Sequence, residues 1–252
     1  MKNAVEDVLR FPYIAAMKIS PPFLKAQFIR RYKRFFADVL TESGEMVTLH
    51  CPNTGSMKNC LVEYSPCWYS LSNNPKRKLP GTLELVTTSH GHIAGVNTGR
   101  PNQLVREAIE SGKITALSDN DELLSEVRYG EEKSRIDLLL NSLQGQCYIE
   151  VKNVTLDMGG GLAMFPDAVT SRGAKHLREL MGMVAQGHRA VLFFCVQLSG
   201  VDRVTVAEEI DPNYAQTLRN AIAAGVEVMA WQAELSADEI VLTRPLEVFV
   251  PD

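Results

Sequence analysis

An α/β domain built on a mixed sheet, preceded by a small all-β, OB-like barrel, is the architecture this sequence predicts. Three observations carry that prediction. Residues 20–98 read as short strands separated by Gly- and Asn-rich turns. From about residue 98 onward, helical patterns alternate with strand patterns, as layers of helices on a sheet require. The longest apolar run, residues 190–196, has the length of a buried strand and not of a membrane span.

The N-terminal strands are expected in FIRRYKRFFADVL, MVTLHC, PCWYSLS, LELVTT and HIAGVN, a count that suits a five-stranded OB-like barrel over residues 17–97. Turns punctuate them at Ser43-Gly44, Asn53-Thr54-Gly55, Asn73-Asn74-Pro75 and His90-Gly91. In the second domain, residues 98–252, Pro101 and Asn102 open a helix whose Leu104, Ala108 and Ile109 face inward, and Gly112 stops it. Strands follow near residues 123–129, in SRIDLLLN and in CYIEVKNVTL. A helix over about residues 171–186 carries Leu177, Leu180, Met181 and Val184 on one face, with Thr170 or Ser171 as its cap and Gly187 at its end. After the apolar strand AVLFFCVQL comes a third helix, capped by Asp211, started by Pro212 and ended by Gly225, and then the strand VEVMAW.

Composition narrows the class of protein. The 252 residues carry a net charge of −4, but the acid is concentrated: residues 201–252 hold 10 acidic and 3 basic side chains. Residues 18–34 hold six bases and no acid, a local basic surface of the sort phosphate attracts whatever the overall charge. Cys51, Cys60, Cys67, Cys147 and Cys195 are odd in number and lack C-x-x-C spacing, so neither a disulfide framework nor a zinc knuckle with His50 is expected. Glu6 and Asp7 interrupt the first residues, which lack a signal-peptide pattern. A cytoplasmic protein, with nucleoid association as one option and no membrane partner, is the expectation.

The chemistry centres on SRIDLLLN and CYIEVKNV. If their hairpin is centred between Leu143 and Gln144, Asp137 lies opposite Glu150, with Cβ atoms roughly 5 Å apart. Lys152 then shares their face, while Ile149 and Val151 point away. Two readings of this cluster stay open. In one, hard carboxylate oxygens hold Mg²⁺ or Mn²⁺ and Lys152 assists at a phosphate. In the other, Asp137 and Glu150 are simply salt-bridge partners of Lys152 or Arg135.

Candidate phosphate contacts lie on both sides. Arg30, Arg31, Lys33 and Arg34 surround Tyr32 and Phe35, a mixture of base and aromatic that suits single strands, although each aromatic taken alone is expected in the core. Lys76, Arg77 and Lys78 add charge on a loop. Arg172, Lys175 and His176 lie in the first turns of the helix that follows Gly159, Gly160 and Gly161. Asp167 either turns inward as a ligand or holds Arg172; Asn53 and Lys58 sit in a turn with either a structural or a binding role.

The run RID, twelve residues, then EVK, within α-β-β-β-α-β, resembles the PD-(D/E)xK nuclease superfamily, with Ile136 in place of Pro. That resemblance implies Asp137 and Glu150 as Mg²⁺ ligands, Lys152 as the catalytic lysine and Glu107 as a further metal ligand from the first helix. A broader match spans about Met17 to Leu246. RRYKRFFADV, LHCPNTGSM, NPKRKLPGTLEL, NQLVREAI, SEVRYGEEKSRIDLLL, CYIEVKNVTL, FPDAVTSRGAKHLREL and GHRAVLFFCVQ look like the sugar fermentation stimulation protein family. It implies a DNA-binding protein with an OB-type and a nuclease-like domain. It also leaves residues 1–16 as an extension, or Met17 as the start, and places Leu83 where an aromatic is expected. The function expected is a DNA-binding protein of little sequence specificity with a Mg²⁺-dependent phosphodiesterase site. The rival is a non-catalytic DNA-binding regulator of sugar (maltose) metabolism genes that retains a nuclease fold. A sugar-metabolising enzyme has no phosphate-loop or dinucleotide motif to support it.

Overall fold

The computed structural model describes residues 17–251, so the expected extension, residues 1–16, lies outside it. The first domain consists of β2 (Leu24–Tyr32), β3 (Phe36–Thr41), β4 (Met46–His50), β5 (Pro66–Leu71), β6 (Gly81–Thr87) and β7 (Ile93–Gly95), after a two-residue β1 (Met17–Lys18). The strand order is β4-β3-β2-β5-β6-β7, and a parallel pairing of His50 with Thr82 brings β4 onto β6. Five strands, β2 to β6, therefore close on themselves around Phe28, Val39, Leu49 and Leu83. Leu83 faces this core with none of its surface exposed, so no side chain at that position stacks a base.

The run expected as one strand, FIRRYKRFFADVL, is a hairpin. Lys33 and Arg34 take φ of 48° and 63°, the double left-handed turn that matches the twist of paired strands. This turn puts Arg34 and Phe35 at its tip, and Phe35 is 51% exposed instead of joining the core. HIAGVN supplies β7, which extends the sheet outside the closed barrel.

The second domain runs α1 (Pro101–Glu110), β8 (Glu122–Tyr129), β9 (Ser134–Ser142), β10 (Gly145–Val154), β11 (Leu156–Asp157), β12 (Leu162–Phe165), α2 (Ser171–Ala185), β13 (Arg189–Val196), β14 (Arg203–Val206), α3 (Pro212–Ala223), β15 (Glu227–Leu235), β16 (Glu239–Pro245) and β17 (Glu247–Phe249). The expected mixed sheet is present, in the order β1-β16-β15-β13-β10-β9-β8, with β10, β13 and β15 parallel. Met17 and Lys18, which the sequence places at the start of the barrel, pair instead with β16 at the far edge of this sheet. A second sheet, β11-β12-β14-β17, was not expected.

Caps fix the helices where the sequence puts them. The Thr170 side chain accepts from the Gly173 N–H, and Asp211 accepts from the Tyr214 N–H. Leu104, Val105, Ala108 and Ile109 of α1 pack on one face of the sheet with Ile149 and Val151. Leu177 and Leu180 of α2 and Leu218 of α3 pack on the other with Leu192 and Phe194. Because residues alternate between faces along β10, Glu150 and Lys152 project toward α2.

Candidate active site between the two domains

The hairpin register places the two acids as the spacing predicts. Cys147 pairs with Leu140 and Ile149 with Leu138, so Asp137 and Glu150 are next in line. The ladder stops there, and the Asp137 side chain takes over from it. Its Oδ2 accepts the Val151 N–H at 2.8 Å, and its Oδ1 accepts Asn102 Nδ2 at 2.9 Å. The strands thus part at the acidic pair, and α1 reaches it through its second residue.

Glu150 is 2% exposed. Its Oε1 accepts Lys152 Nζ at 2.6 Å and also bonds His176 Nδ1, whereas its Oε2 is buried with no hydrogen-bond partner. Arg172 Nε donates to His176 Nε2 at 3.3 Å. His176 Nδ1 also lies 3.3 Å from Lys152 Nζ, so His176, Lys152 and Glu150 form one cluster. Burial works to raise the Glu150 carboxyl, but the bond from His176 and the charge of Lys152 outweigh it and hold the group below the ordinary carboxylate range. Asp137 goes the other way: burial raises its carboxyl, the Glu150 charge adds to that, and Val151 and Asn102 compensate only in part. One acid is held ionised; the other is under pressure to take up a proton.

A cleft of about 330 Å³ opens over this pair. Asp137, Glu150, Val151 and Lys152 line it from the hairpin, Asn102 from α1, Arg172 and His176 from α2, and Asn53 and Thr98 from the barrel and its connection. The site is therefore a seam between domains. The barrel loop that carries Asn53 is fixed to the second domain by Asp167, whose Oδ2 accepts the Met57 N–H at 2.9 Å and Ser56 Oγ at 3.1 Å. Asp167 thus latches the domains through Oδ2 and does not hold Arg172.

The other expected site residues scatter. Glu107 lies outside the lining of the cleft, and its carboxylate accepts from Gln103 at 2.9 Å on the helix surface. Asn102, which sequence reasoning missed as a site residue, reaches Asp137 in its place. Arg30 pairs with Asp38 at 2.8 Å and lies over the Tyr32 ring at 5.2 Å, while Tyr32 stacks on Phe36. Arg31 Nη2 donates to the carbonyls of Asn53 at 2.7 Å and Gly55 at 3.0 Å, so it braces the barrel loop. Lys33 and Arg34 are exposed at the hairpin tip. Lys76, Arg77 and Lys78 are exposed on the loop between β5 and β6, with Arg77 bonded to Thr82. Lys175 points away from the cleft to the Glu132 carbonyl, and His176 is buried at Glu150 instead of facing phosphate. Of the expected α2 bases, Arg172 and His176 line the cleft and Lys175 does not.

The donor set fits a hard divalent cation. Buried Glu150 and half-buried Asp137 repel each other, one Glu150 oxygen lacks a partner, and burial followed by the Glu150 charge raises the Asp137 carboxyl. Among the described residues no three His, Cys, Asp or Glu side chains cluster as a ready-made metal cage. Asp137 and Glu150 would hold the ion, with water filling the remaining positions. All five cysteines are free and buried, small apolar fillers of the core. No helix among the described residues is long and apolar enough to cross a membrane.

Comparison with known proteins agrees over almost the whole chain. Residues 99–239 match the family model described as the sugar fermentation stimulation protein RE domain, and residues 29–96 match its N-terminal OB domain. A sugar fermentation stimulation protein homolog of Teredinibacter turnerae is 59% identical over 92% of this chain and 99% of its own length. The homolog of Saccharophagus degradans is 56% identical over 92% and 100%. Among solved structures, Pyrococcus furiosus SfsA in complex with Ca²⁺ superposes with a TM-score of 0.83 at 28% identity, covering 93% of this chain and 99% of that one.

Proposed function

The chain belongs to the sugar fermentation stimulation protein family, and on that premise we propose that it binds DNA and carries a divalent-cation-dependent phosphodiesterase site of the PD-(D/E)xK nuclease type. The observation that carries this reading is the parted hairpin, where Asp137, Glu150 and Lys152 meet at the floor of a cleft roofed by an OB barrel. The Ca²⁺ held by the Pyrococcus furiosus relative supports a divalent cation, Mg²⁺ or Mn²⁺, at the acid pair. When bound, such an ion supplies charge to phosphoryl oxygens and makes a water more acidic.

The chain's own residues do the rest. Glu150 stays ionised because His176 and Lys152 stabilise its charge. Asn102 and the Val151 N–H fix the orientation of Asp137. Lys152, with its ammonium between Glu150 and the cleft, stabilises charge that builds on a phosphate in the transition state. Arg172, which like Lys152 contacts the His176 ring, adds a second cation to the cleft lining and steers the phosphate toward the floor.

A second reading, a DNA-binding regulator without turnover, is favoured by one feature: Glu150 Oε1 is already engaged by both His176 and Lys152. Incubation of end-labelled DNA with Mg²⁺, Mn²⁺ or EDTA separates the two. The nuclease reading expects metal-dependent cleavage by the wild type and none by Asp137→Ala or Lys152→Ala. Binding without cleavage in every metal would leave the regulator.

A further inference from the structure

We propose that the ligand of the cleft is a single strand of nucleic acid that passes between the barrel loop and the start of α2, and that closed duplex is excluded. This rests on the nucleic-acid reading above and adds the form of the substrate.

The geometry supplies a lane. A second cavity of about 540 Å³ is lined by Arg31, Arg34 and Gly55 of the barrel and by Pro166, Val169 and Thr170 ahead of α2. It shares Phe165 and Asp167 with the acidic cleft, so the two lie side by side along the seam. Along this path Lys152 and Arg172 supply positive charge in the first chamber, and Arg31 and Arg34 in the second. Among the described residues Asp167 is the only acid lining the second chamber, and its Oδ2 accepts from the Met57 N–H and Ser56 Oγ. At the outer end Arg34 stands next to Phe35, which is 51% exposed and offers a ring face for a base.

The same walls keep a duplex out. Glu150 lies on the floor at 2% exposure, beneath barrel residues Asn53 and Thr98 on one side and Arg172 on the other. The barrel loop cannot swing aside cheaply, because Asp167 holds it at Ser56 and Met57 while Arg31 braces its carbonyls. Duplex DNA is stiff over about 150 base pairs and presents its phosphates on a wide rod, whereas a single strand bends and lowers one phosphate at a time.

The test compares a fluorescent single strand with a dumbbell duplex, closed at both ends and of equal nucleotide count, by anisotropy in Ca²⁺. The single strand is expected to bind at least about ten-fold more tightly, and Arg34→Glu is expected to weaken it by about ten-fold, as loss and reversal of a phosphate contact does. The Arg34 side chain is exposed, so its replacement leaves thermal unfolding unchanged and the effect is one of binding. Equal affinity for the dumbbell, or no effect of Arg34→Glu, overturns the lane while leaving the nuclease reading standing. Failure to bind either nucleic acid overturns both.

Discussion

Two buried acidic centres sit in the same interdomain seam, and they are built in opposite ways. Asp157 has no exposed surface and is fully served: Thr88 Oγ1 donates to it at 2.6 Å, His92 Nδ1 lies at 2.9 Å, and the Gly159 N–H donates at 2.9 Å. Burial tends to raise its carboxyl, but those bonds from Thr88, Gly159 and His92 prevail and lower it. Asp137 and Glu150 are also shielded from water, yet one oxygen has no partner and the two charges face each other. The first centre joins the barrel turn that carries Thr88 and His92 to the second domain. The second has charge left unbalanced, which a fold tolerates where a ligand completes it. Satisfaction, not burial, is what differs between the two centres.

The largest effect expected from this contrast is at Asp157. Asp157→Ala leaves Thr88, His92 and the Gly159 N–H without their partner, and a loss of roughly 3–5 kcal/mol is expected in denaturant unfolding, as for other broken buried pairs. A loss under about 1 kcal/mol would mean that the seam is not held there.

Next in size is a change of opposite sign. Asp137→Asn keeps an oxygen for the Val151 N–H, keeps the Asn102 bond once the Asn102 amide turns to present its oxygen, and removes the repulsion from Glu150, so the cation-free protein should unfold at an equal or higher temperature. Its unfolding temperature should no longer rise when Mg²⁺ or Mn²⁺ is added. The pH dependence follows the same logic. Asp157 and Glu150 titrate below the ordinary range, so the stability they confer is complete above that range and is lost as pH falls through their folded-state values. Asp137 is raised, so acidification through its folded-state value relieves strain and stabilises the fold. Asp137→Asn should therefore lose more stability than the wild type on mild acidification, and parallel curves would contradict the opposed shifts.

A smaller loss is expected at Asn102. Asn102→Ala removes one hydrogen bond to Asp137, about 1 kcal/mol of stability, but should lower turnover more than binding of DNA. The smallest is at the barrel surface. Arg30→Ala should barely move the unfolding midpoint, because the guanidinium is largely exposed, while Asp38→Ala should cost more by also stranding Thr48.

Much of this was legible in the sequence, for reasons that mark where legibility ends. The register of Asp137 against Glu150 follows from a short hairpin, since strand pairing is set by the turn between the strands. Thr170 and Asp211 announce helix starts by local hydrogen bonding, and Pro212 by its fixed φ. That Glu107 lies outside the cleft lining is not legible, because helix docking is not local. It lies five residues after Asn102, about 140° around the helix, so the same α1 presents one to the acids and carries the other away. The bracing role of Arg31 is not legible for the same reason, since its carbonyl partners arrive from a loop more than twenty residues on. The basic-aromatic run gave no local sign of its turn, because Lys33 and Arg34 hold left-handed φ without the Gly or Asn that usually marks one.

Titration of the cation-free protein with Mn²⁺ by calorimetry tests the central claim most directly, with Asp137→Asn and Arg30→Ala alongside. The account predicts that wild type and Arg30→Ala bind the ion alike and that Asp137→Asn loses the binding while remaining folded. Equal binding by Asp137→Asn, or none by the wild type, would contradict the assignment of Asp137 and Glu150 as a cation site.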